Sequence, residues 1–507
     1  MKNITLFKTK SNYSYFHSES INQFLLSHPV LFRILTLHKQ RVNVRDWLDN
    51  INTETVEIED YGTVSKRELE FYCRKYELLV ENGYFNSSDT KKGVGGWLSA
   101  FGVNSGLANT SQITYEVTDS CNLKCEYCGY GKFYQGYDQR TDRYLSFKKA
   151  RNVLDYLLKL FNSPMNKSHG RTVRIGFYGG EPLLNFNFIR QMVEYIKNLP
   201  PQCVNFSFGM TTNAVLLDKH MDFLAENNFS LLISLDGNEK NNGYRVFHNG
   251  KPSFAIVYKN LMALKKKFPD YYDKRVSINS VLHNKNTVSE IHSFIKEEFK
   301  KVPNISELNP GGIAPEMREE FWNTYRNFRE SLNQVEDYSQ AKEDLSYKLP
   351  DSGEMMKTLF QYSGFVSRKY CNLLFPEHND TFIPTSTCLP FSKKVFVLAS
   401  GKILPCERIG HRYALGYVDE EEVNLDSDKV AQQMNGYYDK FRSQCENCHI
   451  ARSCRQCIFY LDLDKEKPVC SGFMNEKNFS EYLSAQMSHL ELHPESYSET
   501  MKRQVIE

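Results

Sequence analysis

From Ile113 onward the apolar residues repeatedly change period, from two to about 3.6 and back. That alternation restricts the fold more than any other feature of the chain. Period-two runs at 113–118, 174–179, 206–212, 230–236, 275–282 and 304–309 predict strands. Stretches at 146–162, 186–198, 216–228, 252–267, 286–300 and 316–333 carry helical spacing. A strand followed each time by a helix predicts a parallel sheet, because parallel neighbours need a long crossover connection. Six such units are too few for a closed eight-unit barrel. They predict an α/β fold with a partial (β/α)6, TIM-like barrel over 109–335, with its chemistry at the carboxyl ends of the strands.

The first of these strands, with Ile113, Tyr115 and Val117 alternating against polar positions, runs into a loop carrying Cys121, Cys125 and Cys128. The spacing is C-x3-C-x2-C. A structural zinc site wants four protein ligands, and this loop supplies three. Three thiolates can hold three irons of a [4Fe–4S] cube and leave the fourth iron open to a chelating cofactor. A zinc knuckle with its fourth ligand elsewhere is the competing reading.

Composition narrows the class. The chain has 507 residues, with 63 Lys plus Arg against 61 Asp plus Glu, a net charge of +2. That length predicts two or three domains. The balance gives no reason to expect a nucleic-acid or membrane-surface partner. No apolar run reaches the roughly 20 residues that cross a bilayer, and no leading signal peptide is visible, so a cytoplasmic protein is expected. Thirteen cysteines in such a chain point to metal ligation more than to disulfides. Their placement supports this: three in the loop, eight between Cys371 and Cys470, and only Cys73 and Cys203 scattered, both expected to be small buried hydrophobes.

The cysteine loop, with aromatic Tyr127 before its last cysteine, resembles the signature of radical S-adenosylmethionine enzymes. Later strand ends extend the resemblance. Gly179-Gly180-Glu181-Pro182 is similar to the family motif that meets the amino group of the cofactor. Met210-Thr-Thr-Asn213 offers polar groups at the same rim. Ser234 and Arg245 stand where the family contacts the ribose and carboxylate, and Tyr130 where it packs on or bonds the adenine end. Any of these alone reads equally well as turn chemistry. The resemblance implies that one electron from the open cluster cleaves S-adenosylmethionine to methionine and a 5′-deoxyadenosyl radical.

The eight later cysteines are two sets of four. Cys388, Gly401 and Cys406 follow C-x12-G-x4-C, and Cys445, Cys448 and Cys454 follow C-x2-C-x5-C, ahead of Cys457 and Cys470. This resembles the SPASM extension, here expected over 371–475. It departs from the family in the two residues between Cys454 and Cys457, where three are usual, and in Cys371, which stands seventeen positions before Cys388. The resemblance implies auxiliary cluster I on Cys388, Cys406 and Cys457, with Cys371 as possible fourth ligand. It implies auxiliary cluster II on Cys445, Cys448, Cys454 and Cys470. A pair of zinc ribbons would use C-x2-C pairs equally well. Glu407, next to Cys406, matches the place of an Asp base in sulfatase-modifying relatives; an exposed glutamate is the plainer reading.

Ahead of the barrel, residues 1–87 predict a small winged-helix-like α+β domain: a hairpin over 4–15, a helix over 21–37, a strand at 56–58, and a helix capped by Ser65 with Glu68 and stopped by Gly83. With 13 basic and 12 acidic residues over 1–95, the segment lacks a phosphate-binding face. It resembles the leader-recognition domain of peptide-modifying radical enzymes, which take up an extended leader by strand addition. Residues 88–108 read as linker, 336–370 as a polar helical bridge, and 476–507 as a C-terminal tail.

The expected function is therefore maturation of a ribosomally made precursor peptide through a thioether, carbon–carbon or carbon–oxygen crosslink. It would use S-adenosylmethionine, three [4Fe–4S] clusters and a reductant such as flavodoxin or ferredoxin. The alternatives are a sulfatase-type formylglycine maturase and a non-catalytic, zinc-stapled winged-helix binding protein.

Overall fold

The computed structural model describes residues 4–21, 23–86, 94–95, 97–334, 344–345, 358, 383–451, 454 and 456–498. Cys371 and most of the bridge expected at 336–370 lie outside them. The chain divides into two compact units. One is Met1–Gly96 with Tyr347–Ser386 and Tyr438–Glu507; the other is Trp97–Ser346 with Thr387–Tyr437.

The first unit opens with an antiparallel sheet of β1 (Ile4–Lys8), β2 (Ser14–Ser18) and β3 (Gln23–Ser27), in that order. The helix expected over 21–37 is shorter than its apolar content implies. Residues Gln23–Ser27 pair with β2, and the helix is Pro29–Lys39, capped by His28. Proline explains the boundary: it suits the first helical turn but forces the residue before it into extended backbone. A helix Val44–Asp49, the hairpin β4 (Thr55–Ile58) and β5 (Gly62–Ser65), and the helix Lys66–Glu81 complete the domain. Ser65 caps that last helix by accepting from the Glu68 amide at 3.2 Å. Val30, Ile34, Leu69 and Cys73 form its core.

The stretch expected to be a tail contains a helix, Glu476–Leu492, that docks in this unit along β1. Ser480 Oγ donates to Leu6 O at 3.0 Å, Ser484 Oγ donates to Lys8 O at 2.6 Å, and Lys10 N donates to Ser488 Oγ at 2.9 Å. Four helical residues advance about 6 Å and two strand residues about 6.6 Å, so serines at every fourth position meet every second residue of the edge strand. Phe479 and Leu483 bury themselves with Phe7 and Ile450.

The second unit is built on a ten-stranded sheet. Its core is β6 (Gln112–Thr118), β7 (Thr172–Gly179), β8 (Asn205–Thr212), β9 (Ser230–Ser234), β10 (Val276–Leu282) and β11 (Asn304–Glu307), paired in sequence order and all parallel. Four helices lie at the expected positions, Phe147–Phe161, Phe186–Lys197, Phe254–Lys267 and Val288–Phe299, whereas 216–228 holds only a short helix Met221–Glu226 and 316–333 is broken into Arg318–Thr324 and Phe328–Asn333. Along β6, Ile113, Tyr115 and Val117 are fully buried, and the Tyr115 hydroxyl donates to Ala150 O of the first helix at 3.1 Å. The opposite face carries Thr114, Glu116 and Thr118, also buried.

A seventh parallel strand, β12 (Lys394–Val397), pairs with β6 on its other side. It leads through β13 (Lys402–Leu404) and β14 (Gly416–Val418) to β15 (Val423–Asn424) by antiparallel pairing. The cysteine-rich stretch after residue 371 is thus divided between the two units, because 387–437 extends the parallel sheet. Among the described residues no helix is long and apolar enough to cross a membrane.

Candidate functional site

The Cys121–Cys128 loop leaves the carboxyl end of β6 and is clamped on two sides. Lys124 N donates to Val246 O at 2.7 Å and Glu126 N to Tyr244 O at 3.3 Å, so the loop lies like a short strand against residues 244–247. Beyond the last cysteine, Gln135 N donates to Gly312 O and Ala314 N to Phe133 O, both at 2.9 Å. Gly179 and Gly180 press on the loop from β7. A Cβ on Gly180 would lie 1.9 Å from Ser120 O, and Gly179 holds φ +128° with room for no side chain beside Thr118 O. These glycines serve a close approach of backbone to the loop itself.

The three half-buried thiols sit among cations and N–H donors. Burial pushes the Cys121 thiol up to about 11 and Cys125 up to about 12; Arg140 opposes the shift at Cys121 and Arg245 at Cys125. Arg140 Nη2 donates to Cys128 Sγ at 3.4 Å, Leu123 N to Cys121 Sγ at 3.4 Å, and Asn213 Nδ2 to Cys121 Sγ at 3.8 Å. The amide nitrogen of Asn122, beside Cys121, is buried without a hydrogen-bond partner. Thiols that interact with one another, donors aimed at sulfur and an orphaned donor beside them fit an iron–sulfur cluster held by three cysteines. No group of three His, Cys, Asp or Glu side chains among the described residues is gathered closely enough to hold one metal ion.

The rim residues have distinct jobs. Glu181 is fully buried, and its carboxylate accepts from Leu183 N (3.1 Å), Thr212 Oγ1 (2.6 Å) and Asn213 N (2.8 Å). Burial raises it to about 7. It pins β7 to β8, and its contribution to any ligand there is positional. Asn213 reaches Asn122 at 2.7 Å as well as Cys121. Ser234 ends β9 half-buried. Arg245 gives Nε and Nη2 to Asp236, both at 3.0 Å, in a buried pair that also takes Val281 N at 2.9 Å and the Tyr127 hydroxyl. Burial alone would raise Asp236, but Arg245 and His283 overcome it and bring it to about 2. Tyr130 donates its hydroxyl to Glu116, while the Arg140 guanidinium lies over its ring at 4.5 Å. Glu116 also accepts from Ala399 N at 2.9 Å, and burial raises it to about 7.

Sequence reading passed over Glu116, Asp236 and Arg140. The available signal for the first was a carboxylate at an inward position of a strand buried on both faces. Asp236 stands two residues after Ser234, just past the end of the same strand.

Glu407 is not exposed. Lys394 Nζ holds it at 2.7 Å and keeps it ionised below its usual range, although burial acts the other way. Burial pushes neighbouring Cys406 up to about 11, and Cys388 is exposed. In the other unit Cys445, Cys448, Cys454 and Cys470 come together: burial first, then the other three thiols, push Cys445 up to about 12. Met474 N donates to Cys448 Sγ at 3.4 Å. Cys457 belongs to that unit, Cys388 and Cys406 to the sheet-bearing one. Cys73 is buried, and Cys203 only half-buried.

Fold and site together define an α/β protein whose parallel sheet presents a three-cysteine loop at the carboxyl end of β6. Residues 115–297 match the radical SAM superfamily, and the chain carries a radical SAM domain. The family implies a [4Fe–4S] cluster and S-adenosylmethionine. An uncharacterized protein of Methanocaldococcus jannaschii is 35% identical over 185 residues, 36% of this chain and 57% of that protein. A cysteine-type anaerobic sulfatase-maturating enzyme of Clostridium novyi is 26% identical over 365 residues, 69% of this chain and 87% of that enzyme. A radical SAM cyclopropyl synthase of Paramaledivibacter caminithermalis is 26% identical over 229 residues, 44% of this chain and 45% of that synthase. The chain therefore spans about half the length of the first and third of these relatives.

Proposed function

We propose that this protein is a radical S-adenosylmethionine enzyme that oxidatively modifies a ribosomally made precursor peptide by forming a thioether, carbon–carbon or carbon–oxygen crosslink. The observation that carries the reading is the loop of Cys121, Cys125 and Cys128. It is clamped on both sides at the end of β6, with N–H donors on its sulfurs. When bound, the cluster and cofactor supply hydrogen abstraction from an unactivated carbon, driven by one-electron cleavage of S-adenosylmethionine.

The chain's own residues supply placement. Cys121, Cys125 and Cys128 would hold the cluster, and Asn213 and Arg140, which donate to Cys121 and Cys128, would orient the ligand sulfurs. The backbone of Gly179-Gly180, Ser234, Arg245 and Tyr130 are the proposed neighbours of the cofactor. Cys445, Cys448, Cys454 and Cys470 are proposed to hold one auxiliary cluster, and Cys388 and Cys406 belong to another. Glu407, held ionised by Lys394, would be a weak proton acceptor. In the proposed leader-binding domain the outer edge of β1 is taken by the helix Glu476–Leu492, so strand addition would fall to β3.

Length of similarity to the sulfatase-maturating enzyme of C. novyi supports formylglycine formation as a second reading. One experiment separates them. The protein is reconstituted anaerobically with iron and sulfide, given S-adenosylmethionine and dithionite, and offered either a precursor peptide encoded beside its gene or a sulfatase peptide. About twelve irons per chain, counting four per cube, and 5′-deoxyadenosine release lost in Cys125→Ala are expected. Loss of a hydrogen pair from the precursor supports crosslinking, and an aldehyde in the sulfatase peptide supports the second reading. Bound zinc with no cofactor cleavage overturns both.

A further inference from the structure

We propose that Arg140 sets the reduction potential of the cluster held by Cys121, Cys125 and Cys128, by placing a cation that is in no ion pair among the described residues and an N–H donor on that cluster's sulfurs. The inference rests on the radical-cluster reading above and concerns how readily that site takes up its electron.

Two arginines face the cysteine loop, and their surroundings differ. Arg245 lies on the Cys125 side, and its charge is matched by Asp236 through two bonds at 3.0 Å. Arg140 lies on the side of Cys121 and Cys128, and among the described residues it forms no ion pair. Its Nη2 donates to Cys128 Sγ at 3.4 Å, its plane covers the Tyr130 ring at 4.5 Å, and its Nε is buried with no partner. The segment carrying it is fixed on both flanks. Asp138 is bound by Lys402 Nζ at 2.8 Å and its amide donates to His411 Nδ1 at 3.0 Å. Thr141 N and Arg143 N donate to Asp119 at 3.2 and 2.8 Å. Stacking on Tyr130 and these anchors hold the guanidinium against the sulfur. Glu116, which accepts the Tyr130 hydroxyl, is the nearby carboxylate that feels its charge, but it forms no ion pair with Arg140 and burial raises it to about 7.

The sign follows from electrostatics. Reduction adds one negative charge to the cluster, and a nearby cation stabilises the reduced form more than the oxidised one. Net charge and hydrogen bonds to sulfur are the protein's means of setting such potentials. Arg140 therefore raises the potential and lets a low-potential reductant deliver the electron. Lysine would keep the charge but lose the planar stack and the fixed donor.

The test is an EPR-monitored redox titration of the full reconstituted chain without S-adenosylmethionine, following the signal that disappears in Cys125→Ala. Arg140→Gln should retain wild-type iron and lower the reduced-to-oxidised ratio at fixed poise at least tenfold, 59 mV for a one-electron couple. Arg140→Lys should fall between the two. Wild-type protein labelled with 15N-arginine supplies a second reading that does not depend on the Gln variant keeping its cluster. The reduced cluster should show a nitrogen coupling that Arg140→Lys removes. An unchanged midpoint at full iron content, or no arginine coupling in the wild type, overturns the inference while leaving the cluster assignment standing. Absence of any signal dependent on Cys125 overturns the cluster assignment and this inference with it.

Discussion

The carbonyl oxygen of Ser120 stands where the side-chain carbon of any residue but glycine at position 180 would have to be, 1.9 Å away. The Gly180 amide donates to Thr118 O and the Glu181 amide to Ser120 O, both at 2.9 Å, so strand end and cysteine loop are laced together. Gly180→Ala should push the loop off β7, costing about 3 kcal/mol by overpacking and most of the iron bound there. Gly170→Ala, with φ +76° but open space around it, should cost only about 1 kcal/mol and spare the iron. Thermal unfolding and iron analysis of the two variants decide it.

Arg245 and Asp236 are buried together. Arg245→Met leaves a carboxylate buried without its partner, so a loss of about 3–5 kcal/mol is expected. The double variant Arg245→Met/Asp236→Leu should recover most of that, measured by urea unfolding. If the double variant is as unstable as the single one, the pair is not the reason.

Glu116, raised to about 7 from its usual 4.5, gives a pH dependence with a definite sign. Between those values the folded chain holds a proton that the unfolded chain has lost, so this stability is complete below about 4.5 and lost as pH rises through 7. The effect is about 3 kcal/mol across the window. Glu116→Gln should flatten that slope in urea titrations run from pH 4.5 to 7.5. An unchanged slope would show that the group is already ionised in the fold.

Glu407 is ionised and paired with Lys394, whose side chain is itself only 15% exposed. Glu407→Gln should cost about 1–3 kcal/mol by leaving that ammonium half-buried and unmatched. Release of 5′-deoxyadenosine should stay within tenfold of wild type. A collapse of product formation with stability intact would restore Glu407 as the base.

The serines of Glu476–Leu492 give a local test. Ser488→Ala removes the acceptor of the Lys10 amide, so hydrogen exchange at Lys10 should quicken about fivefold, matching a bond worth about 1 kcal/mol. Truncation before Glu476 would uncover the β1 edge, and self-association in solution is the expected result.

The cysteine loop and the six strand–helix repeats were legible because their signals are local: three thiols within eight residues, and a period that changes with the backbone. The start of the first helix was not read, although Pro29 marks it, because only pairing with β2 reveals β3 inside an apolar stretch that reads as helix. What the chain alone determined is the kind of chemistry its loop can hold and the order of the elements beneath it. Tertiary structure decided what surrounds that chemistry. It brought Ala399 to Glu116 and β12 to β6, committed Arg245 to Asp236 and Arg140 to Cys128, and laid a C-terminal helix along the first strand. Some of those choices join residues far apart in sequence and others residues only nine or twelve positions apart, but in neither case does a period or spacing mark the partner. Burial, charge and hydrogen bonding in the folded chain select them.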